Sequence, residues 1–386
     1  MSTKIPLEPA QVTKEWLEAA LTESSGKEAT VHELQAHQNK GGVLSCIFKA
    51  TATVNGAKEK LFIKIMPGQE QPQRVFIENY GIDEREVSAY KVVFKQLEDF
   101  ETRHLGQSTI QSIACKFHAG QTCQSKLGRG FFLVLLDISD DFQMPDFDRG
   151  LSDLEIANSL QNLAHFHAQT YCLAKLENVD FLKDYKMAYH SFLDGKDTQE
   201  FIETLIKRAL EQLLENKEEN LAAILRQLSA DYVVKFKSAY GGNDGRFLTH
   251  GDIWANNIMT NGQGECILVD WQFMCASSPY LDVAALAFMN QSPEEIEEKS
   301  THFLNAYFDK FEQVTGLFKV KGPWEDSKHF IEKARQQGFL SLFVWLLVSF
   351  SPCVYSPAIF QRFVYIFKKA LQLNPGFFHD DDAKKF

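Results

Sequence analysis

The stretch His250-Gly251-Asp252-Ile253-Trp254-Ala255-Asn256-Asn257 is followed further along the chain by Ile267-Leu268-Val269-Asp270-Trp271. The first stretch fits the pattern H-x-D-x-x-x-x-N, and the second is an apolar strand that ends in an aspartate. The turn residues 261–264 lie between two short apolar segments, which predicts a β-hairpin. Residues 247–249 predict a short strand that runs into a loop. The order therefore predicts a loop followed by a hairpin whose strand ends meet.

The two stretches contain three side chains with oxygen atoms suited to proton transfer or metal binding, Asp252, Asn257 and Asp270. Asp252 can accept a hydrogen bond from a hydroxyl and take its proton, as a general base does. Asn257 and Asp270 offer the hard oxygen ligands that suit Mg²⁺, and the spacing of the pattern selects Asn257 over its neighbour Asn256. We expect Asp252 to face a cleft that contains both ligands, and His250, which opens the motif, to belong to the catalytic loop. This order of groups indicates the phosphoryl-transfer core of the protein-kinase-like enzymes.

A lysine lies in an apolar strand well before these stretches, in Leu61-Phe62-Ile63-Lys64-Ile65. The strand belongs to a predicted hairpin made of Ile47–Val54, the turn Asn55-Gly56 and Lys60–Met66. Kinases place such a lysine, as in V-A-I-K, against the α- and β-phosphates of ATP. The position of Lys64 in the order of elements therefore assigns it to nucleotide binding, with a solvated lysine on an edge strand as the alternative.

The partner of Lys64 should be a glutamate on the next helix. Residues 82–97 show the spacing of a helix with one apolar face. That face comprises Val87, Tyr90, Val93, Phe94 and Leu97. Glu86 lies on this helix and is favoured as the partner, while Glu78 and Glu84 compete with it. An exposed position on the helix surface is the alternative for each of them.

A glycine-containing turn precedes the first hairpin strand, in Asn39-Lys40-Gly41-Gly42-Val43-Leu44-Ser45. It lacks G-x-G-x-x-G, so as an isolated motif it predicts only an ordinary turn. In this position it predicts a cover for phosphate groups, through the backbone N–H groups of Gly41 and Gly42 and the hydroxyl of Ser45.

Several segments together carry a resemblance to a known family. They are residues 250–259, Val269-Asp270-Trp271-Gln272, Ser278-Pro279-Tyr280-Leu281-Asp282-Val283-Ala284, Leu163-Ala164-His165-Phe166-His167-Ala168 and Glu86-Val87-Ser88-Ala89-Tyr90. On these residues the chain resembles the ecdysteroid-kinase-like group, also called choline-kinase-like, of the aminoglycoside-phosphotransferase and choline-kinase superfamily. The resemblance extends from about residue 38 to at least residue 290.

The resemblance implies an α+β, two-lobed protein-kinase-like fold with an antiparallel-sheet N-lobe and a larger, mainly helical C-lobe. It implies ATP and Mg²⁺ as cofactors and steroid-like or other lipophilic alcohols as acceptors. At the inter-lobe linker the family often has Glu-Asp-Leu, whereas this chain has Leu136-Asp137-Ile138. Backbone groups usually hold adenine there, so Leu136 and Ile138 are assigned to the nucleotide site. The family position of Asp282 implies that it anchors the catalytic loop through backbone hydrogen bonds.

The short distance along the chain between Asp270 and Asp282 bears on the class of acceptor. Only eleven residues separate them, and Ser278-Pro279 is expected to start a helix as N-cap and first residue. This leaves no room for a protein-substrate platform, so we expect a small molecule with a free hydroxyl, seated between this core and the helices at 177–240 and 300–386. A choline or aminoglycoside kinase proper and a catalytically silent binding protein of the same fold are the alternatives.

Length and composition agree with a two-lobed globular protein. The chain has 386 residues, a mass of 44.0 kDa and a net charge of −11, which argues against general affinity for nucleic acid. Seven cysteines without C-x-x-C make a zinc site improbable, and with no apolar signal core at the N-terminus they predict a cytoplasmic protein. The longest apolar run, Phe339–Phe350, is too short to span a bilayer. The oligomeric state is left open.

The predicted organisation is an N-terminal helical extension at 1–27, an N-lobe at 28–136 and a C-lobe at 137–386. Within the extension, residues 10–21 predict a short amphipathic helix. An acidic loop is expected from Asp137 to Arg149.

Helices dominate the predicted C-lobe. Ser152-Asp153-Leu154-Glu155 is a capping box that opens a helix to about residue 176. His165 and His167 lie on different faces of this helix, so packed or polar-paired roles are expected and a metal pair is not. Residues 197–237 predict helix with a break at 215–220, and the chain after residue 291 predicts mainly helix.

Overall fold

The structure is a computed structural model that describes residues 4–37, 44–68, 71–125, 128–145, 150–185, 187, 196–228, 232, 235, 239, 246–349 and 357–378. The chain divides into two compact units, each made of two stretches of sequence. The first unit comprises Met1–Met144 and Asn257–Met274, and the second comprises Pro145–Asn256 and Cys275–Phe386. The boundary between the two units falls between Asn256 and Asn257, so the last residue of the motif that begins at His250 belongs to the first unit.

An antiparallel sheet forms the centre of the first unit, with strands in the order β1-β2-β3-β5-β4. The strands are β1 Thr30–His37, β2 Cys46–Val54, β3 Ala57–Ile65, β4 Phe117–Ser125 and β5 Gly128–Leu136. The turn between β2 and β3 is Asn55-Gly56, and both residues have positive φ angles, of 52° and 83°. Such angles fit the twist of a two-residue hairpin. The predicted hairpin is confirmed, with β3 starting three residues earlier than expected.

Alternation along β3 sets the direction of its lysine. Ile63 and Ile65 are buried in the core between the sheet and helix α1 (Lys14–Ser25), together with Leu17 and Leu21 of that helix. Lys64 lies between the two isoleucines, so its side chain leaves the opposite face of the sheet. Helix α1 begins four residues later than predicted, because residues 9–11 form a separate 3₁₀ turn and Thr13 caps the helix through a hydrogen bond from Trp16 N.

A long helical segment follows the sheet's first hairpin. It contains α2 (Pro72–Tyr80), α3 (Ile82–Ser88), a π-helical turn (Ala89–Phe94) and α4 (Lys95–Leu105). The helix predicted at 82–97 is confirmed and extends further, but its middle is π-helical. Residue spacing does not distinguish a π turn from an α turn of the same length, so the π turn could not be predicted from the sequence.

The second predicted hairpin also lies in the first unit. It consists of β7 (Ile258–Thr260) and β8 (Cys266–Leu268), as expected from the turn at 261–264. Leu268 N donates to Ile113 O at 3.0 Å, and Thr260 exchanges backbone hydrogen bonds with Gln143. The hairpin is thereby fixed to segments that flank β4 and β5.

Helices make up most of the described part of the second unit. They are α5 (Asp153–Glu177), α6 (Phe181–Asp184), α7 (Lys196–Glu215), α8 (Glu219–Leu228), α9 (Tyr280–Met289), α10 (Pro293–Leu317), α11 (Ser327–Ser349) and α12 (Pro357–Leu373). Helix α5 packs against α10 and α9 packs against α11. The same unit contains a two-stranded antiparallel ladder of β6 (Leu248–Thr249) and β9 (Cys275–Ala276). The α+β class, with a sheet in one unit and a mainly helical second unit, is confirmed.

Local signals in the second unit are confirmed with small shifts. The capping box of Ser152 and Glu155 opens α5, and the break predicted at 215–220 separates α7 from α8. Helix α9 begins at Tyr280, not at Pro279, because the Pro279 carbonyl accepts the first helical hydrogen bond, from Val283 N at 3.1 Å. Most of the predicted helix beyond residue 228 and the end of the acidic loop, at 146–149, lie outside the described residues.

The apolar run that starts at Phe339 belongs to α11, where Phe339 and residues 341–347 are buried. Across the ranges that the structure describes, we find no helix that combines the length and the apolar character needed to cross a membrane.

Candidate functional site

Lys64 lies between two carboxylates in the first unit. Its Nζ is 2.6 Å from Glu86 Oε1 and 2.8 Å from Asp270 Oδ1. Glu86 comes from α3, the second helix after the strand that carries Lys64, whereas Asp270 follows β8. The Glu86 side chain is buried, but 28% of the Asp270 side chain is exposed. Asp270 is therefore the carboxylate of this cluster that a ligand from solution can reach.

Of the three candidate glutamates, Glu86 is the one that contacts Lys64. Glu78 instead pairs with Arg74, at 2.9 Å, and Glu84 lies 3.7 Å from Arg129. Glu86 contacts Lys64 because the lysine side chain leaves the face of the sheet opposite α1 and Glu86 lies on α3. The role of Glu86 in nucleotide binding stays a prediction.

Two buried or half-buried carboxylates share one ammonium group in this cluster. Burial lowers the pKa of Lys64, but the charges of Asp270 and Glu86 outweigh it, so that the pKa lies above its ordinary value. Burial raises the pKa of Glu86 to about 7; the Lys64 ammonium opposes this rise and the Asp270 carboxylate adds to it. The cluster carries an excess of negative charge when all three groups are ionised, which favours a further cation beside Asp270.

The backbone of Asp270 is held in an unusual conformation. Its φ and ψ are 66° and 59°, in the left-handed region that residues other than glycine rarely adopt. The next residue, Trp271, is fully buried; its Nε1 donates to Leu268 O at 3.2 Å, and its ring meets Phe94 edge-on at 4.9 Å. These contacts hold the backbone directly after Asp270. The sequence predicts Phe94 on the apolar face of its helix, but it does not predict that Phe94 packs against Trp271 beside Asp270. The bulky side chain directly after the strand-end aspartate was the available signal.

Asn257 is tied to the same hairpin through its backbone. It ends a 3₁₀ turn at 255–257, and its carbonyl accepts Val269 N at 3.0 Å, so it lies opposite the residue that precedes Asp270. Asn257 is buried. The fold thus brings Asn257 and Asp270 to one end of the β7–β8 hairpin, as the sequence order predicted.

The donor set of Asn257 and Asp270 can be compared with what a metal ion needs. Among the described residues there is no group of three or more His, Cys, Asp or Glu side chains that could hold a metal. Mg²⁺ does not require such a cage, because it is usually bound by one or two protein oxygens together with phosphates and water. One amide oxygen and one half-buried carboxylate therefore fit Mg²⁺ delivered with a nucleotide, and they do not fit a metal bound by protein alone.

Residues 250–256 of the H-x-D-x-x-x-x-N motif lie in the second unit, where one carboxylate holds the backbone at the start of the motif. His250 N donates to Asp282 Oδ2 at 2.6 Å and Gly251 N donates to Asp282 Oδ1 at 3.0 Å. Gly251 has a φ of 79°, which a residue with a side chain would adopt only with strain. Asp252 follows directly, half-buried, with its N–H 3.4 Å from His250 Nδ1. The expected anchoring of the loop by Asp282 is confirmed.

The linker after β5 is fixed by lysines of the sheet. Lys49 Nζ lies 2.9 Å from Asp137 Oδ2 and 2.8 Å from Ser139 Oγ, and Asp137 N donates to Lys60 O at 2.9 Å. Burial raises the pKa of Asp137, but the hydrogen bonds from Lys49 and Ser139 outweigh it and hold the pKa below its ordinary value. Leu136 ends β5, and it and Ile138 line an open depression of the first unit. Contacts to adenine at Leu136 and Ile138 stay a prediction.

The glycine turn is only partly described. Ser45 is half-buried directly before β2, whereas Gly41 and Gly42 lie outside the described residues. That the turn at 41–45 covers the phosphates stays a prediction.

Comparison with known proteins gives a family match. Residues 41–320 match the model of the ecdysteroid kinase-like family, a span that includes β2 to β5, the catalytic-loop motif and α9. No curated protein matches the chain. The family match agrees with the predicted protein-kinase-like fold.

Solved structures resemble the chain at low sequence identity. A choline kinase from Cryptosporidium parvum Iowa II is 14% identical, with 89% of this chain and 91% of that chain covered and a TM-score of 0.49. An aminoglycoside phosphotransferase from Alicyclobacillus acidocaldarius is 15% identical (91% and 93% covered, TM-score 0.43), and a spectinomycin phosphotransferase in complex with ADP and spectinomycin is 12% identical (94% and 99% covered, TM-score 0.43). At these TM-scores the likenesses carry no argument about function.

Proposed function

The chain belongs to the ecdysteroid kinase-like family, whose members are small-molecule phosphotransferases, and from this premise we propose that it transfers the γ-phosphate of ATP to a hydroxyl of a small alcohol. The observation that carries the proposal is the position of Lys64 between Glu86 and Asp270. A lysine paired with a helix glutamate and a metal-binding aspartate after a strand are the parts that kinases use to orient phosphates.

The nucleotide is proposed to be held by groups of the first unit. The ammonium of Lys64, kept in place by Glu86, contacts the α- and β-phosphates. Asn257 and Asp270 would hold Mg²⁺, which when bound neutralises charge on the phosphate oxygens. The backbone of the linker at 136–138 and the turn at 41–45 are proposed to contact adenine and the phosphates.

The proposed base is Asp252. As the acceptor hydroxyl oxygen forms its bond to the γ-phosphorus, the bond from that phosphorus to the β,γ-bridging oxygen breaks and ADP leaves with the electron pair. The hydroxyl proton passes to the Asp252 carboxylate. The clamp of Asp282 on His250 and Gly251 supports this role, because it fixes the backbone directly before Asp252.

The acceptor is proposed to be a steroid-like or other lipophilic alcohol. The short connection from Asp270 through β9 to α9 supports a small molecule over a protein substrate. The helices of the second unit would supply the walls of the acceptor site. A cytosolic location is part of the same proposal, on the strength of the isolated cysteines, of which the six in the described residues form no disulfide.

Phosphate transfer from ATP to a panel of hydroxylated small molecules tests the proposal. The panel contains sterols, aliphatic alcohols, choline and an aminoglycoside, and Lys64→Met serves as the inactive control. We expect transfer to sterols or aliphatic alcohols that depends on Mg²⁺ and is lost in the Lys64 variant. Transfer to choline or the aminoglycoside alone would favour the cationic acceptors, and no transfer to any member would favour a silent binding protein.

A further inference from the structure

One arginine contacts two helices of the first unit at a sharp break in the chain. Helices α2 and α3 are separated by a single residue, Gly81, whose φ and ψ are 62° and 31°. Glycine restrains its own backbone less than any other residue, so the angle between the two helices depends on contacts from outside them. Arg129, near the start of β5, supplies a contact to each helix.

The contact with α3 is a buried ion pair. Arg129 Nε donates to Asp83 Oδ2 at 2.8 Å, and Arg129 Nη2 donates to Asp83 Oδ1 at 2.7 Å. The Asp83 side chain is completely inaccessible to solvent, and only 15% of the Arg129 side chain is exposed. Two parallel hydrogen bonds from a planar guanidinium to a carboxylate restrict orientation as well as distance. The pair therefore holds the first turn of α3 against β5.

The contact with α2 uses the backbone of the same arginine. Arg74 of α2 is buried, and its Nη2 donates to the carbonyl oxygen of Arg129. Nη1 of Arg74 donates to Pro67 O at 2.9 Å and to Leu7 O at 3.3 Å, so the guanidinium also ties α2 to the chain after β3 and to the N-terminal segment. Arg129 thus bridges α2 and α3 across Gly81, with its carbonyl on one helix and its guanidinium on the other.

Strand β5 relates this bridge to the lysine of the candidate site. Leu133, four residues after Arg129 on β5, pairs with Lys64 on β3. Asp83 and Glu86 are three residues apart on α3, so they lie on the same side of the helix in adjacent turns. Asp83 meets Arg129 on β5, and Glu86 meets Lys64 on the neighbouring strand at 2.6 Å. A movement of α3 away from β5 would therefore break both contacts together.

We propose that Arg129 is a positioning residue for nucleotide binding and phosphoryl transfer: by holding α3 against β5, it keeps Glu86 in contact with Lys64. If α3 moves away, Lys64 loses Glu86 and is drawn to Asp270, the proposed metal ligand. The catalytic consequence rests on the proposed function, whereas the effect on α3 does not.

Graded variants weaken the bridge without removing a group of the site. Arg129→Met removes the guanidinium, and Arg129→Lys keeps the charge but offers one ammonium in place of the two-pronged contact. Asp83→Asn keeps the shape of the partner and removes its charge. Lys95→Met is one control, because Lys95 pairs with Asp99 at 2.7 Å on the exposed surface of α4. Leu17→Ala is the other, since it removes buried apolar contacts on the opposite face of the same sheet.

Three readouts are measured. The first is the kcat and the KM for ATP with an acceptor that the panel identifies. The second is hydrogen exchange of peptides that cover residues 82–88, which reports on α3 whether or not the protein is a kinase. The third is a double-mutant cycle that combines Arg129→Met with Glu86→Gln, because a residue that acts through Glu86 has little further effect once that carboxylate is gone.

We expect Arg129→Met to lower kcat/KM for ATP roughly 10- to 100-fold, because a misplaced group far from the chemistry can cost that much in rate. The same variant should speed exchange at residues 82–88, and Arg129→Lys and Asp83→Asn should lie between it and the wild type in both properties. In the Glu86→Gln background, Arg129→Met should lower kcat/KM by no more than about 3-fold. Lys95→Met should change neither property, and Leu17→Ala should lower stability without singling out residues 82–88.

Unchanged exchange at residues 82–88 or, in an active enzyme, an unchanged kcat/KM in Arg129→Met would overturn the inference. An undiminished effect of Arg129→Met in the Glu86→Gln background would also overturn it, since the arginine would then act elsewhere. If Arg129→Met does not fold because it leaves Asp83 buried and unpaired, Arg129→Lys and Asp83→Asn decide on the same criteria. If the wild type transfers phosphate to nothing, the proposed function fails, and exchange at residues 82–88 still decides whether Arg129 holds α3.

Discussion

The Nζ of Lys64 lies 2.8 Å from Asp270 Oδ1, although the two residues are 206 positions apart in the chain. The contact exists because the hairpin that precedes Asp270 belongs to the same compact unit as the sheet that carries Lys64. One proposed phosphate-binding cation and one proposed metal ligand thus lie side by side. In the proposed function the half-buried Asp270 carboxylate would exchange part of its contact with Lys64 for a metal ion, and we therefore expect metal dependence to concentrate on Asp270.

Asp270→Ala should abolish Mg²⁺-dependent binding of ATP, and Asn257→Ala should weaken it less, because a carboxylate holds a divalent cation through its charge and an amide does not. Asp270→Asn keeps the shape and removes only the charge, so it should resemble the alanine variant. Calorimetric titration of each variant with Mg·ATP gives the affinities. Equal affinities in wild type and Asp270→Ala would show that the metal is held elsewhere.

Glu86 should make stability depend on pH. Its pKa is raised from 4.5 to about 7 in the folded protein, so the folded state binds the proton more strongly than the unfolded state. The stabilisation from this protonation is fully present below pH 4.5 and is lost as the pH rises through about 7. Glu86→Gln cannot titrate. We expect the free energy of unfolding of the wild type, relative to Glu86→Gln, to fall between those two pH values.

Urea unfolding of both proteins across the same pH range tests this expectation. Asp270→Asn is the informative control: its missing charge no longer raises the pKa of Glu86, so the fall in stability should move to lower pH. A wild-type curve that runs parallel to that of Glu86→Gln would contradict the raised pKa.

Local sequence signals predicted the hairpins and the cap of α5 because each depends on residues that are neighbours in the chain. Asn55-Gly56 determines the β2–β3 turn, and Ser152 with Glu155 determines the start of α5. The spacing of the motif and the order of the elements identified Lys64 and Asp270 as candidate site residues, because kinases carry a lysine on a strand and an aspartate after a later strand.

The supporting contacts could not be predicted in the same way. Trp271 meets Phe94, and His167 meets Asp282, only after distant segments have folded together. Helical spacing placed His165 and His167 on different faces of α5 but gave no information about their partners. The π turn at 89–94 is likewise a product of packing, since its apolar residues fit an α-helix equally well.

Lys49→Met should raise the KM for ATP several-fold and change kcat little, because Lys49 holds the linker whose backbone is proposed to bind adenine. Lys60→Met is the comparison: its pair with Asp140 is more than half exposed, and exposed pairs contribute only about 0–1 kcal/mol. We expect a clearly smaller effect from it. Steady-state kinetics with ATP varied measures both, and an equal or reversed ranking would remove the linker from the nucleotide site.

Asp252→Asn should lower the rate of transfer by about 10²–10⁴ and leave ATP binding intact, because a positioned base contributes that much to proton removal and nothing to nucleotide affinity. The amide keeps the size of the side chain, and the clamp of Asp282 on the preceding backbone remains. Single-turnover kinetics and ATP titration measure the two quantities separately. Near-normal transfer by a folded Asp252→Asn protein would assign the base to another residue.

The last prediction is that acceptor specificity lies in the helices at 177–240 and 300–386. The residues proposed to handle ATP and the metal, namely Lys64, Glu86, Asn257, Asp270 and the linker, all belong to the first unit, whereas these helical segments lie wholly in the second. Phosphoryl transfer depends mostly on positioning and on stabilising charge. The acceptor must therefore be held by walls outside the groups that hold the phosphates.

Single alanine substitutions along α7, α8, α11 and α12, spaced to sample each face, should include some that change the acceptor's KM or exchange one acceptor for another. The KM for ATP should stay within a few-fold in these same variants. Lys49→Met is the control with the reverse effect, since it should raise the KM for ATP and leave the KM for the acceptor unchanged. Steady-state kinetics with both substrates varied gives the two constants. Variants of the second unit that shift ATP affinity as strongly as acceptor affinity would show that the two substrates do not divide between the units.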